Sequence, residues 1–238
     1  MSILFVNHRN FRLVLIEQLL FRHDFAPVVP FQWSKGNYLV LDFTDNNPDL
    51  ATVDLQNSEA FSDYVFGKLQ QAKVVVGVGG YNEHRTIYRR SAHFQQTDEP
   101  RCIHLGIDIW ASAGTPIFAP LDGKVHSFAN NANFGDYGPT IILEHQLDGI
   151  IFYSLYGHLS EESLRGLYEG KSIEEGERFA SFGNYPINGD WPPHLHFQLM
   201  TAMLGLKGDF PGVCSLAERE KFLQLCPNPN YILKIEGL

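Results

Sequence analysis

Residues 191–199 read WPPHLHFQL. In an extended chain alternate side chains share a face, so His194, His196 and Gln198 lie on one side and Leu195, Phe197 and Leu199 on the other. The apolar triple suits a strand laid on a core, and Pro192 and Pro193 fit only its start or an edge. Two histidines on one face are either satisfied polar groups of an ordinary strand or part of a metal site. The choice between these depends on what the rest of the chain supplies.

The same short β-type texture runs from about residue 101 onward. The runs GTPIFAPLDGKVHSF, PTIILEH, GIIFYSLYGHL, GKSIEEGERFASFG and HLHFQLM are separated by Gly and Pro turns every ten or so residues. That pattern predicts an antiparallel sheet or a barrel-like sandwich. LDG occurs at 121–123 and 147–149, each time between two strand-like runs, and both copies read as hairpin turns. A short helix is expected within SLAEREKFLQL (215–225).

Residues before about 90 read as mixed α/β. FRLVLIEQLLF (11–21) has helical apolar spacing, NYLVLDF (37–43) and KVVVGVGG (73–80) read as strands, and SEAFSDYVFGKL (58–69) reads as a helix capped by Ser58. GVGG raises a phosphate loop, but the full dinucleotide pattern and a following helix are both missing. The expected class is therefore α+β, with a small mixed N-terminal region over 1–90 and an antiparallel β-rich domain over 91–238.

The chain has 238 residues, 44% hydrophobic and 19% charged, which is enough for a packed core and unlike a disordered segment. A formal net charge of −9 argues against nucleic acid or an anionic membrane as the main partner. Three cysteines, Cys102, Cys214 and Cys226, make no disulfide framework. MSILFVNHRNFRLVLIEQLL does not read as a signal peptide, and no apolar run approaches the ~18 residues of a span. A cytoplasmic location is the expectation, an extracytoplasmic one if a leader has been removed.

Three further stretches bear on the histidines. In CIHLGIDIW (102–110), read as one strand, His104, Gly106 and Asp108 share a face opposite Ile103, Leu105, Ile107 and Ile109. Gly106 leaves room between an imidazole and a carboxylate. In YSLYGHLS (153–160), Tyr156 and His158 share a face. Each signal alone fits an ordinary strand. His126 and His145 lie near turns and are expected to be exposed. Cys102 is a buried thiol or a thiolate ligand, Tyr156 either lines the cleft or packs, and Trp191 either stacks on substrate or packs in the core. Asn82, His84 and Arg85 in GYNEHRTIY (80–88) either reach over the cleft or form a linker.

Taken together, HxxxD, then GHLS, then HxH, in that order in a β-rich domain, resembles the motif set of the M23 metallopeptidases, the lysostaphin-like, LytM-type endopeptidases. The resemblance covers about residues 101–200. It implies a lysostaphin-like sheet, one zinc per chain held by His104, Asp108 and His196, and an open fourth position, the mark of a catalytic zinc. It also implies that His158 and His194 are a non-ligand catalytic pair, which leaves open which of them is the general base. The implied substrate is a small-residue or peptidoglycan-type peptide. Two other functions compete with this: a regulatory module acting through a protein partner, and a cytoplasmic hydrolase of small amides. The oligomeric state is not legible.

Overall fold

The structure, a computed structural model, describes residues 13–95 and 99–238. Residues 11 and 12 of the expected first helix lie outside the described residues; the helix itself is seen over 13–22 (α1). The chain continues through strand Leu39–Val40 (β1), helix Ser58–Ala72 (α2) and strand Gly77–Gly79 (β2). Next come Arg101–His104 (β3), Ile107–Trp110 (β4), Pro116–Phe118 (β5), Gly123–Asn131 (β6), Gly138–Leu147 (β7) and Ile150–Gly157 (β8). Ser172–Ile173 (β9), Arg178–Ser181 (β10), His194–Met200 (β11) and Val213–Ser215 (β12) follow, then the short helices Arg219–Leu223 (α3) and Asn230–Leu233 (α4). The fold is α+β. No helix of the described residues is long and apolar enough to cross a membrane.

The main sheet has eight strands in the order β1-β2-β4-β11-β8-β7-β6-β9. All its pairings are antiparallel except β1 with β2. Two strands from the N-terminal segment thus extend the same sheet that carries β11. β5 pairs with β10 and β3 with β12 in two-stranded sheets of their own.

One face of the sheet carries a core of Ile107, Ile109, Leu195, Phe197 and Leu199, against which Ile16 and Leu20 of α1 and Ile232 and Leu233 of α4 pack. Burying each such side chain stabilises by about 1.5–3 kcal/mol. On the other face two clusters flank a gap. Phe61 and Val65 of α2 join Phe43, Trp110 and Trp191 in one, and Leu105, Ile142, Leu155 and Phe210 form the other.

Several local expectations change. The run 102–110 is not one strand: it breaks at Leu105 and Gly106, so β3 pairs with β12 while β4 enters the main sheet. Of the two LDG stretches, only 147–149 makes a hairpin. There Asp148 and Gly149 take φ of 48° and 80° between β7 and β8, the twist a two-residue turn requires. At 121–123, Asp122 is tied elsewhere: its carboxylate accepts from Glu175 N and its carbonyl from His145 Nδ1. α2 is capped by Asn57, whose side chain accepts from Ala60 N, while the Ser58 hydroxyl donates to the Asp190 carbonyl. His145 is buried, not exposed, between Asp122 and the Ser154 hydroxyl. Tyr156 is buried in the core beside Phe197.

Candidate metal and catalytic centre

The sheet register builds the site. Gly79 of β2 faces Asp108 of β4, Asp108 faces His196 of β11, and His196 faces Gly157 of β8, a row across four strands. One step along, His194 faces Trp110, and the two rings stack at 3.9 Å between centroids and 14° between planes. His104 arrives from the end of β3, outside the row. The turn at Gly106 lets the His196 ring in: a Cβ on Gly106 would lie 2.6 Å from His196 Cε1. The expected single face of His104, Gly106 and Asp108 is therefore replaced by a fold-back that closes over His196.

His104 Nε2, Asp108 Oδ1 and His196 Nδ1 form a triangle with edges of 3.0, 3.1 and 3.2 Å. The protons on these rings are fixed by their other partners. His104 Nδ1 lies 2.8 Å from the Gly80 carbonyl, which only accepts, so Nδ1 carries the proton. Gln198 Nε2 donates to the Pro211 carbonyl at 3.1 Å, which turns Gln198 Oε1 toward His196 Nε2 at 2.9 Å. His196 Nε2 therefore donates. The three atoms facing one another are two imidazole lone pairs and a carboxylate oxygen, with no proton between them. Three buried acceptors so close repel unless a cation joins them.

The donor set fits zinc. Bonds of about 2.0–2.1 Å at tetrahedral angles place ligand atoms about 3.3 Å apart, near the observed edges, and two imidazoles with one carboxylate are ordinary zinc ligands. Among the described residues these three are the group placed to hold a metal ion.

The electrostatics suit this arrangement. Burial, with the Arg85 charge beside it, lowers His104 to about 4, so its imidazole is neutral at pH 7. Burial opposes ionisation of Asp108, but the neighbouring positive charge, that of Arg85 above all, outweighs it and holds the carboxyl well below the usual range. Arg85 Nη1 donates to Asp108 Oδ2, the oxygen turned away from the triangle.

His158 and His194 stand together beside the triangle, ring centroids 4.1 Å apart. Each gives its Nδ1 proton to a carbonyl at 2.8 Å, His158 to Asn188 and His194 to Pro192. Each Nε2 is left as a bare base nitrogen. Burial lowers His194 to about 4, and burial together with His194 pushes His158 well below its ordinary value. His158 does not share the face of Tyr156 as expected. Just past the end of β8 it takes φ of 62°, which turns its ring into the cleft. A non-glycine residue there costs on the order of 1–3 kcal/mol, tolerated where the surroundings fix it. Here the His158 N–H bonds the Tyr137 carbonyl at 2.8 Å and the His158 carbonyl accepts from Gly183 N at 2.9 Å.

All five residues expected from the sequence lie within one buried neighbourhood, and a single cleft is lined by Asp108, His158, His194 and His196. Its walls include Tyr88, Phe94, Trp110, Tyr137, Trp191 and Phe210. Trp191 both packs on Phe61 and lines the cleft, and its indole N–H has no partner. Tyr156 and Cys102 line none of it.

Residues 102–207 match the family model described as Peptidase family M23. Lipoprotein NlpD of Yersinia enterocolitica is 35% identical over 92 residues, covering 39% of this chain and 84% of that protein. The chain belongs to peptidase family M23. An uncharacterized metalloprotease of Haemophilus influenzae is 36% identical over 126 residues, 50% of this chain and 24% of that protein. Peptidoglycan DD-endopeptidase ShyA of Vibrio cholerae is 27% identical over 121 residues, 49% of this chain and 25% of that protein. The chain thus spans about a quarter of the length of these two relatives. The catalytic domain of lysostaphin from Staphylococcus simulans is 24% identical with a TM-score of 0.34, over 51% of this chain and 80% of that one.

Two further residues of this M23 chain, Gln198 and Arg85, stand behind the triangle. Gln198 was placed on the face of His194 and His196 by period two, so its position was legible and its task was not. Arg85 either reaches over the cleft or forms a linker on the sequence alone; in the structure it lines the cleft. It is buried beneath Asp108 and lies, with Gly80, outside the stretch 102–207.

Proposed function

We propose that this M23 chain is a zinc-dependent peptidase that hydrolyses amide bonds between small residues, of the type found in peptidoglycan stems and bridges. The observation that carries the reading is the pairing of two kinds of histidine in one cleft. His104 and His196 turn bare nitrogens toward Asp108 Oδ1 at 3.2 and 3.1 Å. His158 and His194 keep bare nitrogens away from that triangle.

His104, Asp108 and His196 would hold the zinc. When bound, it supplies a Lewis acid for a carbonyl oxygen and acidifies a water to a pKa near 7. His158 Nε2 and His194 Nε2 are neutral at that pH and accept a proton from attacking water. The imidazolium so formed donates to the leaving amine or to the tetrahedral oxygen. With the rings 4.1 Å apart, a charge on one disfavours a charge on the other, so the pair carries one proton at a time. The aromatic walls lower the local polarity around these groups and so strengthen their interactions.

Similarity to the peptidoglycan DD-endopeptidase of Vibrio cholerae and to DD-carboxypeptidase/endopeptidase Mpg of Neisseria meningitidis supports a peptidoglycan substrate. The test is hydrolysis of purified peptidoglycan and of glycine- and alanine-containing peptides by the zinc-loaded chain, with and without chelator. Chelator-reversible cleavage is expected. Zinc-loaded protein that cleaves none of these would refute the substrate assignment.

A further inference from the structure

The two oxygens of Asp108 have different fates. Oδ1 faces His196 Nδ1 at 3.1 Å and His104 Nε2 at 3.2 Å, while Oδ2 pairs with Arg85. We propose that Arg85 is the positioning residue of the metal centre, holding Asp108 to one-oxygen ligation so that a coordination position stays open. The proposal rests on the reading of His104, Asp108 and His196 as ligands.

The guanidinium is fixed at every nitrogen. Nε donates to Glu83 Oε2 at 2.6 Å, Nη2 to the Gly80 carbonyl at 3.3 Å, and Nη1 to Asp108 and to the Tyr88 hydroxyl, the latter at 3.3 Å. Its carbon lies 5.5 Å from the Phe43 ring centre, which covers one face. A group held so completely cannot follow Asp108 if the carboxylate rotates. The space it fills is made by β2: Gly79 faces Asp108 in the register, and a Cβ there would lie 2.5 Å from Arg85 Nη2. The same Gly80 carbonyl accepts from Arg85 Nη2 and from His104 Nδ1, so one backbone group aligns both the clamp and a ligand.

A carboxylate free of such a clamp can turn both oxygens toward an ion. It would then fill the position that water or substrate needs in a catalytic site. A fork-shaped cation on one oxygen prevents this, and its planar donors fit the task better than an ammonium. The segment before the family-matched stretch thereby takes part in the metal centre.

The test uses the full chain loaded with cobalt(II) in place of zinc, as wild type, Arg85→Gln and Arg85→Lys. Four-coordinate cobalt absorbs visible light far more strongly than five-coordinate cobalt. Wild type should show the intense band, Arg85→Gln a band weakened severalfold, and Arg85→Lys an intermediate one. In the zinc-loaded enzymes kcat of Arg85→Gln should fall about 10- to 100-fold with KM little changed. A purely structural ion pair would lower the melting temperature and leave the band intact; that outcome overturns the proposal. X-ray absorption of zinc-loaded wild type tests it without any variant, since a long second carboxylate oxygen at the zinc would contradict it. Wild type that takes up neither metal would overturn the ligand reading as well, whereas uptake with an unchanged Arg85→Gln band overturns the clamp alone.

Discussion

His194 and His196 stand two apart on one strand, and the proposed function gives them opposite tasks because each keeps a different nitrogen protonated. His194 gives its Nδ1 proton to Pro192 and keeps Nε2 bare, whereas His196 gives its Nε2 proton to Gln198 and keeps Nδ1 bare. The tautomer, set by the oxygen each ring faces, suits one imidazole to act as a base and the other as a ligand. Gln198→Leu removes the nearer acceptor from His196 Nε2, leaving the Tyr137 hydroxyl at 3.4 Å, and should weaken zinc binding about 10- to 100-fold, read by competition with a calibrated chelator. An unchanged affinity would show that Gln198 does not set the tautomer. His194→Ala should keep the metal and lose about 10²- to 10⁴-fold in kcat, the usual worth of a general acid or base. This level was partly legible in the sequence: period two placed His194, His196 and Gln198 together, and the resemblance to the M23 motif set implied the ligands. The Gln198 amide orientation was not, because Pro211, which sets it, is distant in the chain. The Arg85–Asp108 pair was not legible for a related reason, since the two are brought together by the pairing of β2 with β4 and of residues 82–85 with β3.

At the scale of elements, the site depends on register and on one break. A slip of one residue in β4 or β11 would move Asp108 or His196 to the opposite face, into the apolar core. Gly106 and Gly149 separate site from scaffold. In Gly106→Ala the new Cβ meets His196 Cε1 at 2.6 Å and the Phe197 carbonyl at 2.8 Å, so metal binding should be lost. In Gly149→Ala the Cβ meets nothing, and only the φ of 80° is strained. Stability should drop by about 1–2 kcal/mol in denaturant unfolding while zinc content stays as in wild type. Equal metal loss in both variants would mean that global destabilisation, not the fold-back at Gly106, governs the site. The hairpin at Asp148-Gly149 was legible because that dipeptide suits the turn. The break at Leu105 and Gly106 was not, since CIHLGIDIW alternates without interruption and only the pairing of β3 with β12 reveals two strands.

At the scale of the molecule, α1, α2, β1 and β2 complete the sheet and cover its faces, so residues of the N-terminal region share cores with the rest. Buried histidines also make stability depend on pH away from the cleft. Burial lowers His145 to about 4 from an ordinary 6.5. Its folded pKa lies below its unfolded one, so its contribution is full above pH 6.5 and is lost as pH falls toward 4. The loss is on the order of 3 kcal/mol. His145→Gln should flatten the stability profile over that window; an unaltered slope would remove His145 as a source. The central claim is the division of the five residues into three ligands and two proton carriers. Zinc content of the purified full chain, measured for wild type, His196→Ala and His158→Ala, tests it most directly. About one zinc is expected in wild type and in His158→Ala and almost none in His196→Ala. Retention of zinc by His196→Ala, or its loss from His158→Ala, would contradict it.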